Sequence, residues 1–137
     1  MNFKKEKLYF LNKKDKSKKG SIDKEILPLI NKINSHNNYY TTSSCSGRIV
    51  LLIKKSDKKT DTKWLFKKHS NVKFNEIKKA LTNISQYEIW FRFEPAIFHI
   101  ACKTKDAQNL VNKARSIGFK VSGIQITKRR VIVEINS

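Results

Sequence analysis

The chain has 137 residues, of which 39% are hydrophobic and 30% charged. That supplies one ordinary core, excludes compositional disorder, and predicts a single domain over 1–137 with a basic N-terminal segment over 1–20. Thirty Lys and Arg against eleven Asp and Glu give a formal net charge of +19, a surface that attracts polyanions, with RNA or DNA the first partner to consider. Most of that charge is lysine, and the chain is rich in Ile and Asn, so a compositional bias unrelated to function competes as an explanation.

Residues 1–20 carry eight lysines around the apolar patch Leu8-Tyr9-Phe10-Leu11, which predicts a short docking helix followed by a basic turn ending at Gly20. Ser21 is placed to cap a helix with Asp23 and Glu25 in its first turn and Ile22, Ile26, Leu29, Ile30 and Ile33 on its apolar face; Pro28 predicts a kink or a late start. After Asn37-Asn38, Tyr39 to Thr42 leads into a polar Ser-Ser-Cys-Ser-Gly elbow. Ile49 to Ile53 then reads as a strand buried on both faces. Lys54 to Lys63 reads as a charged loop, Trp64 to Lys67 as a strand, and Phe74, Ile77, Leu81 and Ile84 as the apolar stripe of a helix.

Alternation at Tyr87, Ile89, Phe91 and Phe93 predicts a strand that Glu94-Pro95 breaks before a second one over Ala96 to Cys102, the two forming a tight pair. Ala107, Leu110, Val111, Ala114 and Ile117 fall on one helical face, which Gly118 ends. Strands over Phe119 to Ile126 and Val131 to Ile135 close the chain. The order α, α, β, β, β, α, β, β, α, β, β predicts a mixed α/β domain of α+β character, with helices packed on a largely antiparallel sheet.

The longest apolar run, Ile49 to Ile53, is far short of the roughly 20 residues of a membrane span, and the N-terminus has no apolar signal core. A cytoplasmic protein with reduced thiols at Cys45 and Cys102 is expected, with neither zinc spacing nor a disulfide framework. Glycine occurs only at 20, 47, 118 and 123, so the Gly-rich dinucleotide and phosphate loops are absent, disfavouring a Rossmann-type site.

The segment Thr41 to Arg48 gathers five hydroxyls, a thiol, a glycine and a guanidinium. Backbone N–H groups and Arg48 can together hold a carboxylate or phosphate there, although an ordinary serine-rich turn accounts for it equally well. No spacing rule pairs Cys45 with a histidine as an activated nucleophile. His99 shares a strand face with Ile97 and Ala101, the usual setting of a hydrogen-bonded core histidine. His69 and Glu94 stand at strand ends, where functional groups concentrate. Trp64, Trp90, Tyr39 and Tyr40 offer surfaces on which an unpaired base can stack.

Five ordered pieces, Lys19-Gly-Ser-Ile-Asp23, Tyr40-Thr-Thr-Ser-Ser-Cys-Ser-Gly-Arg48, Trp64-Leu-Phe-x-x-His69, Phe93-Glu-Pro-x-Ile-x-His99 and Gly118-Phe-x-x-Ser-Gly-Ile124, closely resemble the tRNA wybutosine-synthesizing protein 3 family. The resemblance spans roughly residues 15 to 135. It implies a non-Rossmann methyltransferase that uses S-adenosylmethionine to methylate the N4 ring nitrogen of the tricyclic base beside the anticodon of phenylalanine tRNA.

By motif membership, Ser43, Ser44, Cys45, Ser46, Gly47 and Arg48 are implied to meet the cofactor or a substrate anion, with Cys45 shaping the site. His69 and His99 are candidate proton acceptors, and Asp23 and Glu94 orient them or bind the cofactor's amino group. Trp64, Lys67, Lys68, Ser122 and Gly123 are candidates for the RNA. No metal and no obligate protein partner is implied. The family usually continues past the closing strand, whereas this sequence stops at Ser137; the runner-up expectation is therefore a short, noncatalytic tRNA-binding homologue.

Overall fold

The computed structural model describes residues 2–13, 21–54, 61–82 and 87–137. The basic turn expected to end at Gly20, most of the charged loop after Lys54, and Ile84 lie outside them. The chain forms two compact units, residues 1–46 with 96–137, and residues 47–95. Among the described residues no helix is long and apolar enough to cross a membrane.

The first unit is built on a four-stranded antiparallel sheet, with β1 Tyr39–Cys45, β5 Ile97–Cys102, β7 Val131–Ile135 and β6 Gly123–Ile126 side by side in that order. Strand alternation divides its residues between two faces. Phe98, Ile100, Cys102 and Val133 lie on one face and are buried beneath α2 Leu27–Ser35 and α4 Thr104–Ser116. Helix α4 contributes Ala107 and Val111, and α2 contributes Ile30. On the other face, the fully buried Tyr40 meets the rings of Phe3 and Phe10 from α1 Phe3–Leu11. Its hydroxyl donates to Glu6 Oε1 at 2.9 Å, and Arg130 Nε reaches the same oxygen at 2.9 Å. Burial and the Glu6 carboxylate both push the Tyr40 phenol well above its ordinary range.

Pro28 gives the late start and not a kink. A single 3₁₀ turn over Lys24–Ile26 precedes α2, and the proline sits in the first turn of the helix, where a missing N–H costs nothing. Helix α4 ends as its pattern predicts. Gly118 adopts a positive φ of 111°, and Phe119 N–H returns to the Ala114 carbonyl at 3.0 Å.

The second unit is a three-stranded antiparallel sheet in the order β3 Thr62–Lys68, β2 Arg48–Lys54, β4 Glu88–Glu94, with α3 Phe74–Ala80 packed beside β3. Val50, Leu51 and Leu52 at the centre of β2 are buried, as the apolar run predicts. The alternating aromatics of β4 do not form a buried face: Phe91 and Phe93 are 59% and 73% exposed.

Two sequence-based expectations fail at the junctions between strands. The strands on either side of Pro95 do not pair with each other: β4 pairs with β2, and β5 pairs with β1 and β7. Proline offers no N–H for a tight turn, and each strand is paired within its own sheet. The serine-rich elbow is mostly strand, because β1 runs through Cys45 and leaves only Ser46-Gly47 between strands, with Gly47 at φ 94°. Ser21 is exposed, and Asp23 holds the position before the 3₁₀ turn.

Ile100 is 2% exposed in the middle of the larger sheet, so Ile100→Ala is expected to lose about 2–5 kcal/mol of stability, read as a lower urea midpoint at unchanged slope. Burial, assisted by Asp106, pushes the Cys102 thiol up to about 11. At pH 8 it should therefore resist alkylation in the native protein and react once the chain is unfolded in urea.

Candidate functional site

In the first unit, the site is a row of polar side chains across the face that carries Tyr40. In an unbroken antiparallel register, Thr42 would face His99. Instead β1 bulges between Thr41 and Ser43, and Ser43 becomes the partner of His99. The bulge is held on one side by Asn34 of α2, whose Oδ1 accepts the Thr41 N–H at 2.8 Å. On the other side, the Thr42 hydroxyl donates to the His99 carbonyl at 3.2 Å.

Ser43 Oγ lies 2.7 Å from His99 Nδ1, and His99 Nε2 lies 3.0 Å from Glu134 Oε2. Gln125 Nε2 donates to the same carboxylate oxygen at 2.7 Å. Ionised Glu134 only accepts, so the proton of neutral His99 resides on Nε2, leaving Nδ1 to accept from the Ser43 hydroxyl. The result is a serine, histidine and carboxylate in line, with Ser43 exposed and the other two half-buried. Gly123 is the register partner of Glu134 on β6, and a Cβ placed there would meet nothing within 4 Å. The row therefore opens onto space beyond Glu134.

The remaining candidates of this unit serve the backbone around the row. Asp23 is buried, and its Oδ2 accepts both the N–H and the hydroxyl of Ser46 at 2.9 Å. The carboxylate thus fixes the end of β1 with two of the donors that the sequence offered to an external anion. Ser44 Oγ is enclosed and has no hydrogen-bond partner among the described residues, and Cys45 is half-buried opposite Ile97. Ser122 is also buried. Its hydroxyl accepts from Asn136 N–H at 3.2 Å, and Arg115 Nη2 donates to its carbonyl at 2.7 Å.

In the second unit, Arg48, Leu52 and Lys54 of β2 share a sheet face with Trp64 and Lys67 of β3 and with Trp90, Arg92 and Glu94 of β4. Seven of these residues, with Thr62 and without Lys67, line a cleft of about 380 Å³. Trp64 and Trp90 are both register partners of Leu52 and are about half exposed. The Arg48 guanidinium lies 4.7 Å from the Trp64 ring centre, Lys67 5.3 Å from the same ring, and Lys54 5.5 Å from Trp90. Glu94 holds Arg48 by an ion pair and reaches Arg92 at 3.3 Å. Lys68, on the opposite face, is paired with Glu76 at 2.7 Å, and that contact holds the Glu76 carboxyl below its ordinary range. His69 is half-buried immediately after β3.

Fold and site together define a mixed α+β protein without a Gly-rich nucleotide loop, carrying a polar relay on one sheet and a cationic, aromatic face on the other. Residues 3–137 match the family described as Methyltransferase TYW3, and the chain belongs to that family.

The tRNA(Phe) 7-((3-amino-3-carboxypropyl)-4-demethylwyosine(37)-N(4))-methyltransferase 1 of Pyrococcus horikoshii is 45% identical over 123 residues, 88% of this chain and 63% of that protein. The tRNA wybutosine-synthesizing protein 3 homolog of Danio rerio is 41% identical over 133 residues, 93% of this chain and 53% of that protein. The solved structure of the PH1069 protein from Pyrococcus horikoshii superposes with a TM-score of 0.83 at 42% identity, covering 98% of this chain and 70% of that one. The chain thus spans 63% and 53% of the length of these two curated relatives.

Glu134 is the functional candidate that sequence reasoning missed. Its signal was present: in Val131-Ile-Val-Glu-Ile135 a lone acid interrupts an apolar strand, and such an acid needs a partner on a neighbouring strand. Long-range ¹H–¹⁵N spectra at neutral pH are expected to show neutral His99 protonated on Nε2. Glu134→Ala should remove that preference and Glu134→Gln should keep it; a parent protein protonated on Nδ1 rules the relay out.

Proposed function

We propose that this chain is a tRNA methyltransferase that methylates N4 of the tricyclic, guanosine-derived base next to the anticodon of phenylalanine tRNA. Its family supports the reaction class, and the observation that carries the assignment to this chain is the Ser43–His99–Glu134 row. Methylating a ring N–H releases a proton, and the rest of the work is alignment of nitrogen and methyl carbon. In this reading the proton reaches His99 Nδ1 through the Ser43 hydroxyl, and Glu134 stabilises the imidazolium that forms.

The methyl donor of this reading is S-adenosylmethionine, which supplies an electrophilic methyl group on a sulfonium. The Thr41–Arg48 segment fits that molecule at one point. Ser46 is bonded to Asp23, Arg48 is paired with Glu94 and Ser44 Oγ is enclosed, so the exposed Ser43 hydroxyl, whose own proton goes to His99, is the group that would accept from its ammonium. Cys45 and Gly47 then act by shaping the backbone path, and Asp23 by fixing it. Lys67 and other basic residues supply phosphate contacts for the RNA, at a net charge of +19, whereas Lys68 is held by Glu76 on the opposite face. His69 remains the second candidate acceptor, Ser122 and Gly123 flank the row at β6, and a cytoplasmic location suits a tRNA substrate.

The test is transfer of labelled methyl from S-adenosylmethionine to phenylalanine tRNA carrying the 4-demethyl tricyclic base. Full incorporation by the parent chain is expected, with His99→Ala slowed about 10²–10⁴-fold, the range of a lost general base. Glu134→Gln should fall between them. Binding of the tRNA without any incorporation would overturn the reading in favour of a noncatalytic binder.

A further inference from the structure

We propose that the face of the three-stranded sheet bearing Trp64 and Trp90 is a stacking site for unpaired nucleotides of single-stranded RNA. It rests on the tRNA reading only for which RNA is held. Trp64 and Trp90 flank Leu52 from the two outer strands, and both are about half exposed. Indole rings of that exposure lose apolar contact with water when a base covers them, and every base has a face to offer.

The charges around the rings decide between possible occupants. Arg48, Lys54, Lys67 and Arg92 stand on this face, three of them within 5.5 Å of an indole centre. Glu94 holds Arg48 and Arg92, and Glu88 accepts the Trp90 indole N–H at 2.9 Å. Four cations against two acids leave the face positive. A phosphodiester chain matches that surplus at every step, whereas the adenosyl part of S-adenosylmethionine carries no phosphate and sits on a sulfonium cation. Both ligands present a nucleobase, but S-adenosylmethionine is a net cation and only the RNA brings the net negative charge that balances the cleft.

The Glu94 ion pair gives the face a defined shape before anything binds. It holds the Arg48 guanidinium over the Trp64 ring, so cation and indole are already ordered as one stacked pair, and a base extends that stack without a ligand having to build it. Trp90 is fixed in the same way through its N–H to Glu88.

The chain contains two tryptophans, and both stand in this cleft, so intrinsic fluorescence of the whole protein reports on the site. The experiment titrates the full chain with a mixed-sequence single-stranded RNA heptanucleotide, following tryptophan emission and, in parallel, the anisotropy of the labelled RNA. Saturable quenching that tracks the anisotropy is expected. Trp64→Leu and Trp90→Leu should each weaken binding roughly tenfold, while Trp90→Phe, which keeps a ring face but loses the bond to Glu88, falls between the parent and the leucine variant. Inorganic polyphosphate of matched charge should leave the emission unchanged.

RNA binding without quenching, leucine variants that bind as tightly as the parent, or equal quenching by polyphosphate would each overturn the site. So would quenching by S-adenosylmethionine that RNA does not displace, which would assign the cleft to the cofactor. If methyl transfer fails while RNA quenching persists, the function proposal falls and this one stands.

Discussion

One extra residue in β1 is the constraint on which the candidate site depends. A strand turns successive side chains to opposite faces, so a residue's chemistry is set by parity along the chain. Between Tyr40, buried against α1, and Ser43, exposed beside His99, the parity changes at Thr42. Without that bulge the hydroxyl opposite His99 would belong to Thr42, and Ser43 would turn toward the helices. Asn34 and the His99 carbonyl hold the bulge from its two sides, so the polar row is positioned by the same contacts that join β1 to α2 and to β5.

Which parts of this were legible follows from what sequence patterns encode. Helix α4 and strand β2 announce themselves because their apolar spacing is the packing. Strand partners are different: nothing in Phe93-Glu-Pro-Ala-Ile97 says that the two flanking strands go to separate sheets, since pairing is decided by distant residues. The alternation of β4 was read correctly as a strand, yet Phe91 and Phe93 remain exposed, because periodicity reports a face and not what covers it. The Thr41–Arg48 segment was picked out by composition. Its division into a strand, a bulge and a two-residue junction could not be, because a bulge has no composition of its own.

The polar residues of that segment also illustrate how a motif and its geometry differ. As a string it offers donors to a ligand; in the fold, Ser46 is bonded to Asp23, Arg48 is paired with Glu94, and Ser44 is enclosed. The exposed hydroxyl left over is the one aligned with a histidine and a carboxylate. A string dense in hydroxyls therefore resolves into a framework with one exposed hydroxyl, bonded to a histidine.

The acids of this chain are few, and six of those described each hold a defined contact. Glu6 joins Tyr40 to Arg130, Asp23 fixes Ser46, Glu76 meets Lys68, Glu88 takes the Trp90 indole, Glu94 holds two arginines and Glu134 faces His99. These six are more than half of the eleven Asp and Glu, while the lysines outnumber any such tasks. Sequence drift in a family member of this kind is therefore one-sided. Neutral surface positions can become lysine without removing any of these contacts, but these six acids cannot, and a mutational bias toward lysine would raise the charge around them.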